Sequence, residues 1–162
     1  VITSMEHNSV LRPVFSLARK KMITYSVAPA DRYGCVAAES IVNELKPSTA
    51  LIVVTHASNV CGTVNDIYDI RRKTGDIPLL IDASQSAGLV KIDMKRLKKT
   101  LLAFPGHKGL YGPQGTGGLY IPEDMEVSTL TEGGTGSVSE SPMQHAFSQK
   151  RQLFQSARGQ FL

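Results

Sequence analysis

Short runs of β-branched and aliphatic residues recur along this chain, separated by longer stretches of helical period, and that alternation constrains the fold more than any single motif. Strands that alternate with helices share a sheet only through crossovers, so the pattern predicts a three-layer α/β fold: a mainly parallel sheet with helices on both faces. The expected strands cover residues 1–5, 22–27, 50–56, 78–83 and 100–104, and the expected helices 9–20, 36–45, 64–73 and a short one at 94–98. Asn65 and Asp66 supply cap oxygens and negative charge where the third helix begins, and Gly75 closes it.

Beyond Phe104 the texture changes. Pro105 to Gly118 holds six glycines and two prolines among fourteen residues, which predicts a structured loop rather than another helix. Two more strands are expected at 118–121, where an antiparallel direction is open, and at 127–130. Residues 143–162 carry glutamines and scattered phenylalanines without a clean period, so they read as a tail or a lone amphipathic helix beside a domain core of residues 1–142. At the other end, residues 1–5 read as a strand already under way, and a segment upstream of it is expected.

The bulk properties exclude several function classes. The net charge of +4 is too small to argue for a polyanion partner. The densest basic run, with Lys95, Arg96, Lys98 and Lys99, has no interleaved aromatic for base stacking, so it reads as a solvated helix face and no nucleic-acid partner is expected. Cys35 and Cys61 lie in separate segments without CxxC spacing, so neither a zinc site nor a disulfide framework is expected. With no apolar stretch long enough to span a bilayer and no signal-peptide pattern, the expected setting is the cytoplasm, away from membranes. There is no GxxxxGK[ST], no GxGxxG after a strand, no HExxH and no GxSxG, so nucleotide-binding, zincin and hydrolase readings lose their anchors.

In an open parallel sheet, ligands collect at the carboxyl ends of the strands. Four expected strand ends offer polar residues: Glu6-His7-Asn8, His56 through Asn59, Asp82 through Gln85, and Gly106-His107-Lys108. Asp82 ends an aliphatic run, where a desolvated carboxylate needs a cationic partner. A protonated pyridine nitrogen would be such a partner, as in pyridoxal phosphate (PLP), and Asp82-x-x-Gln85 equally fits a capping box opening the next helix. Lys108 follows a proline-glycine turn and precedes further glycines, a setting in which a partly desolvated amine becomes a nucleophile toward an aldehyde; an ordinary exposed loop lysine has the same neighbours. His7 suits a ring face stacked on a flat heterocycle, a proton shuttle, or a satisfied core histidine. His107 suits a phosphate donor or a turn contact, and the Asn59 amide suits a phenolic oxygen or its own backbone.

The order His7, Asn59, Asp82 with Gln85, then His107-Lys108 followed by Gly-Leu-Tyr-Gly-Pro-Gln-Gly-Thr-Gly-Gly-Leu-Tyr-Ile, resembles class V aminotransferases, most closely their cysteine desulfurase branch. The segments Met5-Glu6-His7-Asn8-Ser9-Val10-Leu11-Arg12-Pro13 and Leu80-Ile81-Asp82-Ala83-Ser84-Gln85-Ser86-Ala87-Gly88 carry the resemblance further, and it fades after Ser141. It implies pyridoxal 5'-phosphate as cofactor, with Lys108 holding it as a Schiff base, Asp82 pairing with the pyridinium, and His7 stacking on the ring. Asn59 and Gln85 would contact the phenolic oxygen and His107 the phosphate.

The implied reaction takes sulfur from L-cysteine to an enzyme thiol and leaves L-alanine, in a homodimer that hands the sulfur to an acceptor protein. The run Gly133-Gly134-Thr135-Gly136 would lie near the dimer partner's cofactor site. Three departures accompany the resemblance. Pro105 stands where many desulfurases carry a hydroxyl residue. Nothing corresponds to the family's upstream phosphate loop or to its small domain, and Cys35 and Cys61 match neither the context nor the place of the persulfide-forming cysteine. The chain is therefore expected to be the central portion of a PLP-binding large domain. A class V aminotransferase acting on another small amino acid, and a non-catalytic remnant or scaffold, are the alternatives left open.

Overall fold

The computed structural model describes residues 1–123 and 125–128 and the backbone of Leu153–Phe154. The elements run β1 (Ile2–Thr3), α1 (Asn8–Arg19), β2 (Val27–Ala28), α2 (Ala38–Asn43), β3 (Ile52–Thr55), α3 (Ile67–Thr74), β4 (Leu79–Asp82), β5 (Thr100–Pro105), β6 (Gly117–Tyr120) and β7 (Leu153–Phe154), with a 3-10 turn at Met94–Arg96. They build one sheet in the order β2-β1-β3-β4-β5-β6-β7. Pairings from β2 through β5 are parallel, and β6 and β7 join antiparallel.

The chain steps from β1 outward to β2, returns to β3 on the other side of β1, and continues to β4 and β5. Right-handed crossovers taken in opposite directions put α1 on one face and α2 with α3 on the other, which gives the three α/β layers expected from the sequence. On the α2/α3 face, alternate residues Ile52, Val54, Leu79, Ile81 and Leu102 meet Ile41, Ile67 and Ile70 in a continuous core. Each such side chain contributes about 1.5–3 kcal/mol by leaving water, so this face fixes the register Val54↔Ile81↔Leu102 and with it Thr55↔Asp82↔Ala103.

Element boundaries depart from the sequence reading where an exposed or backbone-bonded residue replaces a packed one. The expected strand over 22–27 shrinks to Val27–Ala28, because Lys21 turns the chain at φ 58° and the Met22 N–H closes back on the Leu17 carbonyl. Met22, Ile23 and Tyr25 are exposed, at the sheet's open edge. The second helix is shorter than expected, Ala38–Asn43, and the Val36 N–H just ahead of it donates to Asn65 Oδ1 at 2.8 Å. Instead of a helix, the basic run forms a 3-10 turn with the Arg96 guanidinium 4.4 Å above the Tyr68 ring. The third helix is capped as expected: the Asp66 carboxylate accepts from the Tyr68 and Asp69 N–H groups, and Gly75 ends it at φ 61°.

The expected strand at 118–121 is β6, antiparallel to β5. Val127 and Ser128 lie in no strand, and residues 129–130 fall outside the described residues, as does the Gly133–Gly136 run. Within 143–162 the described part is β7, whose backbone pairs with Gly118 and Leu119 in place of a tail or helix; the remainder lies outside the described residues.

Candidate active site

Between β1 and β3 the direction of winding reverses, and the carboxyl ends of β1, β3, β4 and β5 stand side by side at one edge of the sheet. These four ends carry the residues singled out in the sequence. His7 follows β1 as the N-cap of α1: its Nδ1 accepts the Ser9 N–H at 3.1 Å, and the ring is exposed, so the satisfied-core option is excluded. Asn59 follows β3 and is exposed, and it is Ser58 Oγ that serves the local backbone, accepting the Val60 N–H at 3.2 Å.

Asp82 ends β4 and is buried. Its Oδ1 accepts the Ser84 N–H at 2.9 Å, closing a tight turn; no helix follows before Gly88, so the capping-box option fails for Asp82 and Gln85. His107 and Lys108 lie exposed on the loop after β5. That loop is folded back on itself: the Lys108 carbonyl accepts the Tyr111 N–H at 2.9 Å, and Gly106 exchanges backbone bonds of 2.7 Å with Gly112 and Thr116.

Each strand end is stitched to its neighbour. From β1 to β3, the buried Glu6 carboxylate accepts Thr3 Oγ1 at 2.6 Å and both the N–H and Oγ1 of Thr55 at 2.8 Å. From β3 to β4, the His56 N–H donates to the Asp82 carbonyl at 2.9 Å, and His56 Nδ1 meets Ser86 Oγ at 2.8 Å. Between the loops after β4 and β5 the backbones touch so closely that a Cβ on Gly88 would lie 2.4 Å from the Gly109 carbonyl oxygen, and one on Gly109 2.4 Å from that of Ala87. The turn holding Asp82 and Gln85 and the loop holding His107 and Lys108 are thus one packed unit.

The electrostatics of this edge are unbalanced. Burial pushes the Glu6 carboxyl above the usual range; hydrogen bonds from Thr3 and Thr55 pull it back, and the charge of Asp82 pushes it up again. Burial likewise holds the His56 imidazole below its ordinary value. Among the described residues neither Glu6 nor Asp82 has a cationic side chain within ion-pair distance, and the Lys108 amine pairs with no carboxylate. Two buried acids without a cation among the described residues, on strand ends packed against the loop that carries Lys108, make a site suited to a ligand that is cationic at one atom and electrophilic at another. Glu6 and His56 stood at strand ends in the sequence without an assigned role. A Thr-x-x-Glu spacing after a strand, with a threonine ending another, is the signal that would have pointed to Glu6.

The profile of the aminotransferase class-V family matches residues 1–156. A probable cysteine desulfurase of Methanothermobacter thermautotrophicus is 38% identical over 138 residues, covering 83% of this chain and 34% of that protein. Among solved structures, one of SspA in complex with cysteine matches at a TM-score of 0.74 and 33% identity, over 82% of this chain and 39% of the other. A C-DES variant with glycine covalently linked to its PLP cofactor matches at 0.67 and 34%, over 76% and 34%. The chain thus spans about a third of the length of that curated relative. With the family profile matched over residues 1–156 of the 162, the chain belongs to the aminotransferase class-V family.

Proposed function

We propose that these residues form the cofactor-holding part of a PLP-dependent cysteine desulfurase, which moves sulfur from L-cysteine to a thiol and leaves L-alanine. The observation that carries this reading is the buried Asp82 carboxylate at the end of β4, packed through the Gly88–Gly109 contact against the loop that presents Lys108, with neither group in an ion pair among the described residues. The likeness to proteins described with cysteine and with PLP supports the same cofactor and substrate.

The donor set fits pyridoxal phosphate. When bound, that group supplies an electron sink for charge developing at the substrate's α-carbon. Asp82 would hold the proton on the pyridine nitrogen, since its other oxygen is left over from the Ser84 bond. The Lys108 amine would hold the aldehyde group and, once the substrate's amine had displaced it, would be free to carry the α-proton. His7, whose Nδ1 is tied to Ser9, would offer a ring face of fixed orientation. Asn59 and Gln85 would donate to the phenolic oxygen, and His107 to the phosphate, where Pro105 contributes neither hydroxyl nor N–H. A second copy of the chain and a sulfur-accepting protein are the partners that go with this reading.

The test is to titrate the chain with PLP, follow the visible absorption, reduce with borohydride and locate the pyridoxyl group by mass spectrometry. Labelling confined to Lys108 and lost in Lys108→Ala is expected; labelling spread over surface lysines, or unchanged in that variant, overturns it. Sulfide release from L-cysteine, against amine transfer to pyruvate, separates the desulfurase from an aminotransferase.

A further inference from the structure

β1 and β3 share a single register pair, Ile2↔Val53, and β1 ends at Thr3 while β3 runs on to Thr55. The Thr55 N–H therefore projects past the last residue of its neighbour, where an unpaired buried donor costs about 1–3 kcal/mol. Glu6 fills the gap. Its carboxylate takes that N–H, the Thr55 hydroxyl and the Thr3 hydroxyl, and so acts as the missing rung between the two strands at the point where the winding reverses. An amide would suffice for this mechanical role. What a carboxylate adds is charge, one strand away from Asp82, the register partner of Thr55.

We propose that Glu6 is a positioning residue for the cation held by Asp82: it closes the β1–β3 edge and supplies a second buried negative charge that favours a protonated ring over a neutral one. This deepens the proposed function and rests on it for the identity of the cation. Among the described residues, the groups around Glu6 leave that charge uncompensated. Asp82 from β4 is an acid, His56 after β3 is turned to Ser86, and His7 is turned to Ser9. The upward push that Asp82 exerts on the Glu6 carboxyl is the same coupling seen from the other side. Two adjacent buried carboxylates repel, and a cation between charge and solvent relieves both.

Two measurements on the full chain test this. In the first, without cofactor, the Glu6 carboxyl is titrated by 13C NMR in the wild type and in Asp82→Asn; a midpoint that falls in the variant is expected, and an unchanged one overturns the coupling. In the second, the chain is loaded with PLP labelled at the ring nitrogen, whose 15N shift reports its proton directly. Glu6→Gln, which keeps the hydrogen-bonding shape, should reduce the proton affinity of that nitrogen about tenfold. Thr55→Val, which removes one hydrogen bond from the same cluster but no ionisable group, should reduce it less than Glu6→Gln does. Equal ring titrations in wild type and Glu6→Gln overturn the proposal. Coupling in the first measurement with no PLP uptake by the wild type overturns the cofactor reading instead.

Discussion

His56 Nδ1 and Ser86 Oγ lie 2.8 Å apart in the interior, and this one bond joins the loop that carries Asn59 to the turn that carries Gln85. Both partners are buried, so neither can exchange the other for water. Ser86→Ala leaves a buried imidazole nitrogen without a partner and should lower stability by about 1–3 kcal/mol. Urea unfolding checks it. Ser84→Ala is the control, because there the turn uses the Ser84 N–H, which the substitution retains.

The same histidine makes stability depend on pH. Burial holds His56 below its ordinary 6.5, so the unfolded chain binds more protons. Its contribution is complete above 6.5 and is lost as the pH falls through the folded value. Glu6 has the opposite sign: burial raises it above 4.5, so its contribution is complete below 4.5 and is lost as the pH rises through the folded value. Unfolding curves taken from about pH 4 to about pH 8 should therefore flatten in the acid limb for His56→Gln and in the opposite limb for Glu6→Gln. Parallel curves for all three proteins would show that neither group is perturbed.

The contact between Gly88 and Gly109 predicts a different kind of loss. Gly88 sits at φ +83° with a backbone carbonyl where its Cβ would go, whereas Gly62 at φ +73° has open space around the same position. Gly62→Ala bears only the left-handed penalty of about 1–2 kcal/mol. Gly88→Ala bears that and a collision, which must push the Lys108 loop away from the Asp82 turn. The expected result is a clearly larger stability loss together with reduced pyridoxyl labelling at Lys108, read by urea unfolding and mass spectrometry.

What the sequence disclosed follows from burial. β3, β4 and β5 were legible because strands covered on both faces must be aliphatic throughout, as Ile52–Val53–Val54 and Leu79–Leu80–Ile81 are. Asp66 and Gly75 marked their helix because cap chemistry is local. Met22, Ile23 and Tyr25 misled for the complementary reason: they are as apolar as a buried strand, yet they stand exposed beside the edge strand β2, and nothing local distinguishes the two cases. At the candidate site, the positions of the polar groups after strands were legible. The bonds of Glu6 to Thr55 and of His56 to Ser86 were not, since they span 49 and 30 positions and depend on the order in which the strands pair.

Cys61 offers the last test, on the loop that carries Asn59. Its thiol is drawn down from 9.0 to about 7, chiefly by the Ser58 hydroxyl and then by Thr63. Its Sγ lies against Gly34 and 3.3 Å from Thr63 Oγ1, which in turn donates to the Tyr33 carbonyl at 2.5 Å, so the loop holds the thiol among polar groups while leaving it exposed. The thiolate is the reactive form, and near neutral pH about half of Cys61 should be ionised. Iodoacetamide at that pH should therefore label Cys61 well ahead of Cys35, although both are exposed free thiols. Ser58→Ala removes the principal stabiliser, so the labelling midpoint should rise toward 9.0 and the lead over Cys35 should shrink. Equal rates at the two cysteines in the wild type would mean that the hydroxyls around Cys61 do not hold its charge.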